Sequence, residues 1–142
     1  MAKDVLTVTK AAIKSDNPLK NQKFDYILTI LNQKYKVFEV NLEEVGFDGF
    51  CFAPPVRKIL IHNSTDPFEK LDTFLHELFH AILYEFGLKS NHPERVINFL
   101  AAGLAHYLTN AENRKKLLKL VKNSSDFLEG SSYFKNKLRN KN

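Results

Sequence analysis

His76, Glu77 and His80 lie within Leu71–Gly87, "LDTFLHELFHAILYEFG", and match the pattern H-E-x-x-H. On an α-helix, residues four apart share one face, one turn above the other. Both imidazoles can therefore be directed at one point. Zinc takes histidine nitrogens at about 2.0–2.1 Å, and its catalytic sites combine three protein ligands with a water. Glu77 is offset by one residue from His76, which puts its carboxylate beside such a metal rather than on it. Zinc lowers the pKa of a water it holds toward about 7. Glu77 could take that proton as general base and later hand it to a leaving amine. The bland alternative is a pair of half-buried helix histidines hydrogen-bonded to backbone or water. Against it, the flanking positions Thr73–Leu75 and Leu78–Tyr84 carry no charge outside the motif. Two histidines and a glutamate on so apolar a helix are costly unless something pairs them, and a metal would.

The elements that must hold these residues follow from local pattern. Thr65 or Asp66 can cap the motif helix, with Pro67 at its first position and Glu69 in its first turn. Leu71, Leu75, Leu78, Ile82 and Phe86 form an apolar stripe at helical spacing. Gly87 ends the helix, being free to take positive φ. Pro93 opens a second helix running to about Leu108, and a third covers roughly Ala111–Val121, ended by "NSSDFLEGSS". Upstream, Val5–Thr9 reads as a short strand and Ser15–Asn21 as turn. Phe24, Ile27, Leu28 and Leu31 recur at i, i+3, i+4 and i+7, which predicts an amphipathic helix over Gln22–Asn32. Tyr35–Val40 alternates and reads as a strand. Asp48-Gly49 is a hairpin-turn signal. Val56–His62 reads as another strand, starting after Pro54-Pro55 and lying near a sheet edge.

The whole chain sets bounds. Its 142 residues are 44% hydrophobic and 26% charged, which is one domain's worth of sequence with material for a core. No apolar run approaches the roughly 20 residues of a membrane span. The first residues place lysines and aspartates where a secretory signal needs an apolar stretch, so a cytoplasmic location and no membrane partner are expected. Cys51 stands alone, which leaves histidines and carboxylates to hold any metal. The net charge is +5, and from Arg114 to Asn142 nine Lys or Arg stand against Asp126 and Glu129. That basic end could touch nucleic acid or an acidic partner; its plainer reading is a solvated helix face and a tail.

"TFLHELFHAI" resembles the long zincin signature. The wider run "ILIHNSTDPFEKLDTFLHELFHAILYEFGL", followed by "ERVINFLAAGL", is similar to the small minimal zincins of phages and bacteria, related in layout to SprT-like and ImmA/IrrE-type metallopeptidases. The resemblance covers about Tyr35–Leu108. It implies an α+β fold in which a small, mostly antiparallel sheet packs on the motif helix, with an edge strand beside the active site. It also implies a bound Zn2+ and hydrolysis of peptide bonds. It carries ligand roles onto His76 and His80 and the base role onto Glu77. In gluzincin-like members the third ligand is an acidic residue of the next helix, which points to Glu94, 14 residues after His80. A Glu in any first helical turn is also favoured by the helix dipole alone. His92 is a second candidate ligand. Asn98 stands one turn after Glu94, about where some relatives have an acidic residue. His106 reads as a core histidine. Tyr84, Tyr107 and Tyr133 could each stabilise an oxyanion, and the strand Arg57–His62 could take an extended peptide by strand addition.

The expectation is an N-terminal segment over 1–20, a zincin domain over 21–125 and a basic tail over 126–142. Its expected activity is zinc-dependent cleavage of a peptide or protein substrate. The alternative is a catalytically silent zinc protein that docks through its basic C-terminal region.

Overall fold

The computed structural model describes residues 5–14, 19, 23–64 and 66–123. In chain order the elements are α1 (Lys10–Ile13), β1 (Tyr26–Ile30), β2 (Gln33–Val40), β3 (Gly49–Phe52), β4 (Lys58–His62), α2 (Pro67–Glu85), α3 (Glu94–Thr109) and α4 (Ala111–Asn123). The strands form one mixed sheet in the order β1-β2-β4-β3. β1 and β2 are antiparallel, β2 and β4 parallel, and β3 and β4 antiparallel. The chain is thus α+β, as its pattern of strands before helices implies. It divides into two compact units, Met1–Ala105 and His106–Asn142.

The sheet is buried on both faces. On one, Tyr35, Val37, Cys51, Ile59 and Ile61 meet Ala81, with Phe74, Leu78 and Ile82 of α2 packed against them. On the other, Phe38, Val40, Phe52 and Leu60 meet Val8, Leu42 and Val45. Residues 59–61 are almost fully buried in consequence. This corrects the placing of Arg57–His62 at an edge: β4 lies inside the sheet. Its unbroken "ILI" suits a strand covered on both faces, and Pro54 and Pro55 lie in the preceding turn, where they withdraw no ladder donor. The edges are β1 and β3, so strand addition at Arg57–His62 has no free edge to use.

Other local expectations change too. The helix expected over Gln22–Asn32 is absent from its described residues, 23–32. Tyr26–Ile30 pairs residue for residue with β2, through a two-residue turn in which Leu31 and Asn32 both take positive φ. A short apolar run fits either period, and pairing with the amphipathic β2 decides this one. The β3–β4 hairpin turns at Ala53–Arg57 rather than at Asp48-Gly49, and Asp48 already accepts from the His62 amide at 2.7 Å. Among the described residues Val5–Thr9 makes a single parallel bridge, Thr7 to Asn41. Thr65, Tyr133 and the "NSSDFLEGSS" run from Ser124 onward lie outside the described residues.

One polar cluster ties α2 to the sheet at its C-terminal end. Tyr35 Oη donates to Glu85 Oε1 at 2.7 Å and Arg57 Nε donates to the same oxygen at 2.8 Å. Burial alone would push the Glu85 carboxyl up, but the bonds from Arg57 and Tyr35 outweigh it and hold it below its usual range. Tyr35 is wholly buried, so truncating Glu85 leaves its hydroxyl without that acceptor. Glu85→Ala should destabilise the protein by about 1–3 kcal/mol, read from urea unfolding at neutral pH. Because the native pKa is depressed, the contribution is present above the ordinary value of 4.5 and fades as pH falls below it.

Among the described residues, no helix is long and apolar enough to cross a membrane. In the second unit, α4 is capped by Asn110, whose Oδ1 accepts from the amides of Glu112 and Asn113. None of the α4 side chains is buried.

Candidate metal centre

α2 starts where its cap places it. Asp66 Oδ1 accepts from the amides of Phe68 at 2.7 Å and Glu69 at 3.1 Å, and Pro67 occupies the first turn. Such a cap is worth about 1 kcal/mol. At the other end Gly87 has φ +90, and its amide and that of Leu88 close onto the carbonyls of Tyr84 and Leu83. Between these ends Leu75 and Ala81 are buried, and Phe74, Leu78 and Ile82 pack on the sheet. Phe86, assigned to the apolar stripe, is instead exposed just past the helix end.

His76 and His80 are half-buried, one helical turn apart, and their Nε2 atoms lie 3.0 Å from each other. α3 begins at Glu94, after Pro93, and buries Ile97, Ala101 and Ala105 at helical spacing. Glu94 stands one turn before Ile97 on that same side. Its Oε2 lies 3.4 Å from His76 Nε2 and its Oε1 3.2 Å from His80 Nε2. These three residues, with ligand atoms all within 4.8 Å of one another, could hold a metal ion. Burial lowers the His80 pKa, as do the neighbouring His76 and His92 rings, against the opposite pull of Glu94. The net direction favours the neutral ring, the form that can ligate.

Glu77 is only 6% exposed. It is turned toward β3, where Gly49 comes so close that a Cβ added there would lie 2.7 Å from Glu77 Oε1. Among the described residues no hydrogen bond to its carboxylate is formed. Burial, and then the negative charge of Glu94, push this carboxyl up to about 8 from an ordinary 4.5. A cavity of about 250 Å³ opens beside it, lined by Asp48, Gly49, Asp72, His76, Glu77 and Asn98. Asn98 is therefore close to the site without belonging to the ligand group.

The remaining candidates separate. His92 lies behind His80, on the side away from Glu94, with Nδ1 2.6 Å from His80 Nδ1. It does not join the three converging ligand atoms. Tyr84 packs against His92, ring centroids 4.4 Å apart. His106 is exposed rather than a core residue, and it and Tyr107 belong to the second unit. Gly49 also borders the site, which nothing in its local sequence indicates. Its only sequence signal was a turn-like Asp-Gly pair, and its closeness to Glu77 comes from tertiary packing.

Compared with family models, with curated proteins and with solved structures, the chain matches none. The functional reading therefore rests on the site itself.

Proposed function

We propose that this chain is a zinc-dependent peptidase of the minimal zincin kind. One observation carries the reading: the Nε2 atoms of His76 and His80 and the two Glu94 oxygens are separated by 3.0, 3.2 and 3.4 Å. Ligand atoms about 2.0–2.1 Å from a tetrahedral zinc lie roughly 3.3 Å apart. Two imidazoles and one carboxylate also match a catalytic zinc's preference for three protein ligands. When bound, zinc would supply Lewis acidity, making water acidic and polarising a substrate carbonyl.

The chain's own groups supply the rest. Glu77 borders the cavity next to His76 and accepts a proton there, then returns it to the leaving nitrogen. β3 ends the sheet beside α2, so its outer edge is the one that can pair with an extended substrate. Gly49, first in β3, brings that edge against Glu77 without a side chain in the way. Asn98, lining the same cavity, has an amide that can donate to a developing oxyanion.

The test is direct. The purified chain should take up one zinc. The zinc-loaded form should cleave members of an unstructured peptide library, lose that ability to a chelator and regain it with zinc. In a second reading the zinc only stabilises the fold and the chain docks through basic surface. The exposure of Lys115, Lys116, Lys119 and Lys122 on α4 favours it. One zinc per chain with no cleavage of any peptide would favour this second reading, and failure to bind zinc would end both.

A further inference from the structure

His92 is joined to the ligand group through atoms that do not face the metal point. Its ring lies edge to edge with that of His80 and nearly in its plane, centroids 4.9 Å apart and planes at 22°. Its Nδ1 lies 2.6 Å from His80 Nδ1, and its Nε2 lies 2.8 Å from the carbonyl oxygen of Leu88. A carbonyl oxygen only accepts, so His92 Nε2 carries the N–H. In a neutral imidazole the other nitrogen is then a bare acceptor. The proton between the two Nδ1 atoms therefore belongs to His80. His80 Nε2, which faces His76 Nε2 at 3.0 Å and Glu94 Oε1 at 3.2 Å, then keeps a lone pair; the Glu94 carboxylate, also only an acceptor, competes for that proton, and a metal held at this point would remove the competition by taking the lone pair.

The acceptor at the start of this chain is itself fixed. Leu88 donates its amide to Leu83 at 3.0 Å and Gly87 donates to Tyr84 at 3.0 Å. This is the paired closure of a helix end by a glycine at positive φ. The Leu88 carbonyl is thus anchored to the helix that carries His80. Asn91 then takes φ +56, a conformation asparagine tolerates better than most residues. It precedes His92, with Pro93 and the Glu94 ligand directly after. The loop between α2 and α3 is thereby tied to the ligand helix at both of its ends.

We infer that His92 is a positioning residue, which holds His80 in its Nδ1–H tautomer and aims the His80 Nε2 lone pair at the metal point. The inference rests on the metal site proposed above. It assigns His92 neither a bond to the metal nor contact with substrate. A hydrogen-bond partner on the far nitrogen of a ligating histidine fixes ring orientation and tautomer, and losing it typically costs 10–100-fold in metal affinity.

The test compares the full chain with His92→Ala and His92→Asn, since the asparagine carbonyl can still accept from His80 Nδ1–H. Long-range 15N–1H spectra of metal-free, histidine-labelled protein read the His80 tautomer. Competition with a chromophoric chelator reads zinc affinity, and X-ray absorption of the zinc form counts bound imidazoles. We expect the Nδ1–H tautomer in wild type and in His92→Asn, and its loss in His92→Ala. Zinc affinity should fall 10–100-fold in His92→Ala and largely recover in His92→Asn, with two imidazoles on the metal throughout. An unchanged tautomer and affinity in His92→Ala would overturn the inference. So would three imidazoles in wild type falling to two in His92→Ala, which would make His92 a ligand. If wild type binds no zinc, the metal reading fails, and the tautomer measured without metal still upholds or overturns the His92–His80 pairing.

Discussion

Glu77→Gln should leave zinc binding within a few-fold of wild type and reduce peptide cleavage by about 10²–10⁴-fold, the usual contribution of a positioned general base. Glutamine keeps the shape of the side chain and cannot accept the proton. Neither His76, His80 nor Glu94 needs Glu77 in order to converge. The same substitution has a second effect that activity alone would not show. Burial first and the Glu94 charge second raise the Glu77 pKa to about 8 in the metal-free protein, from an ordinary 4.5. Such a group binds a proton more tightly in the folded state. Its contribution to stability is whole below pH 4.5 and is lost as pH rises through 8. Metal-free wild type should therefore weaken between these limits, by at most about 3–5 kcal/mol, whereas the Gln variant should not. Denaturation of both proteins at pH 5 and pH 8.5 checks this. The variant should be the more stable of the two at the higher pH, and parallel curves would show that Glu77 is not held protonated by its surroundings. A bound dication acts in the opposite sense, favouring the carboxylate and making Glu77 a base only when the site is loaded.

The parts of this site that the sequence makes legible are those set within one helix. His76 and His80 share a face because they are four apart, and Asp66, Pro67 and Gly87 bound α2 by local backbone chemistry. Glu94 was legible one step further out, since Pro93 marks the start of the next helix and a first-turn residue of that helix can reach back toward α2. The order of the strands was not legible. Leu28 and Leu31 fit a helical period as well as they fit a hairpin, and only pairing with β2 distinguishes them. Pro54 and Pro55 mark where the strand Arg57–His62 begins but not an edge, because they stand in the turn before it and leave its own ladder donors intact. The burial of Ile59, Leu60 and Ile61 on both faces depends on residues as distant as Val8 and Ala81. His92 has the right chemistry to be a ligand. What turns it behind His80 is the carbonyl of Leu88, a backbone atom whose position no side-chain pattern encodes.

Gly49→Ala should damage both stability and catalysis while leaving the zinc ligands in place. The added Cβ would lie 2.7 Å from Glu77 Oε1, 2.8 Å from Glu77 Cγ and 2.8 Å from Thr73 Cγ2. Real atoms do not approach so closely, so either the strand or the side chains must move. Glu77 is buried and Thr73 half-buried, which denies both an easy route to solvent. β3 has only four residues and is held on one side, with Gly49 opposite Ile61 and the Asp48 carbonyl bonded to the His62 amide. Overpacking of this sort costs about 1–3 kcal/mol. A displacement of about 1 Å at a catalytic group can reduce the rate by roughly 10²-fold. Zinc affinity should change little, because the three atoms nearest the added methyl belong to Glu77 and Thr73 and not to the ligands. The combination of lost cleavage with retained zinc separates this effect from general unfolding. A double-mutant cycle makes the cause specific. Glu77→Ala removes two of the three crowding atoms, so adding Gly49→Ala to that background should cost much less stability than adding it to wild type. If the two substitutions prove additive, the close approach of β3 is not what positions Glu77. If they couple, the edge strand sets the place of the proposed base as directly as the motif helix sets that of the metal ligands.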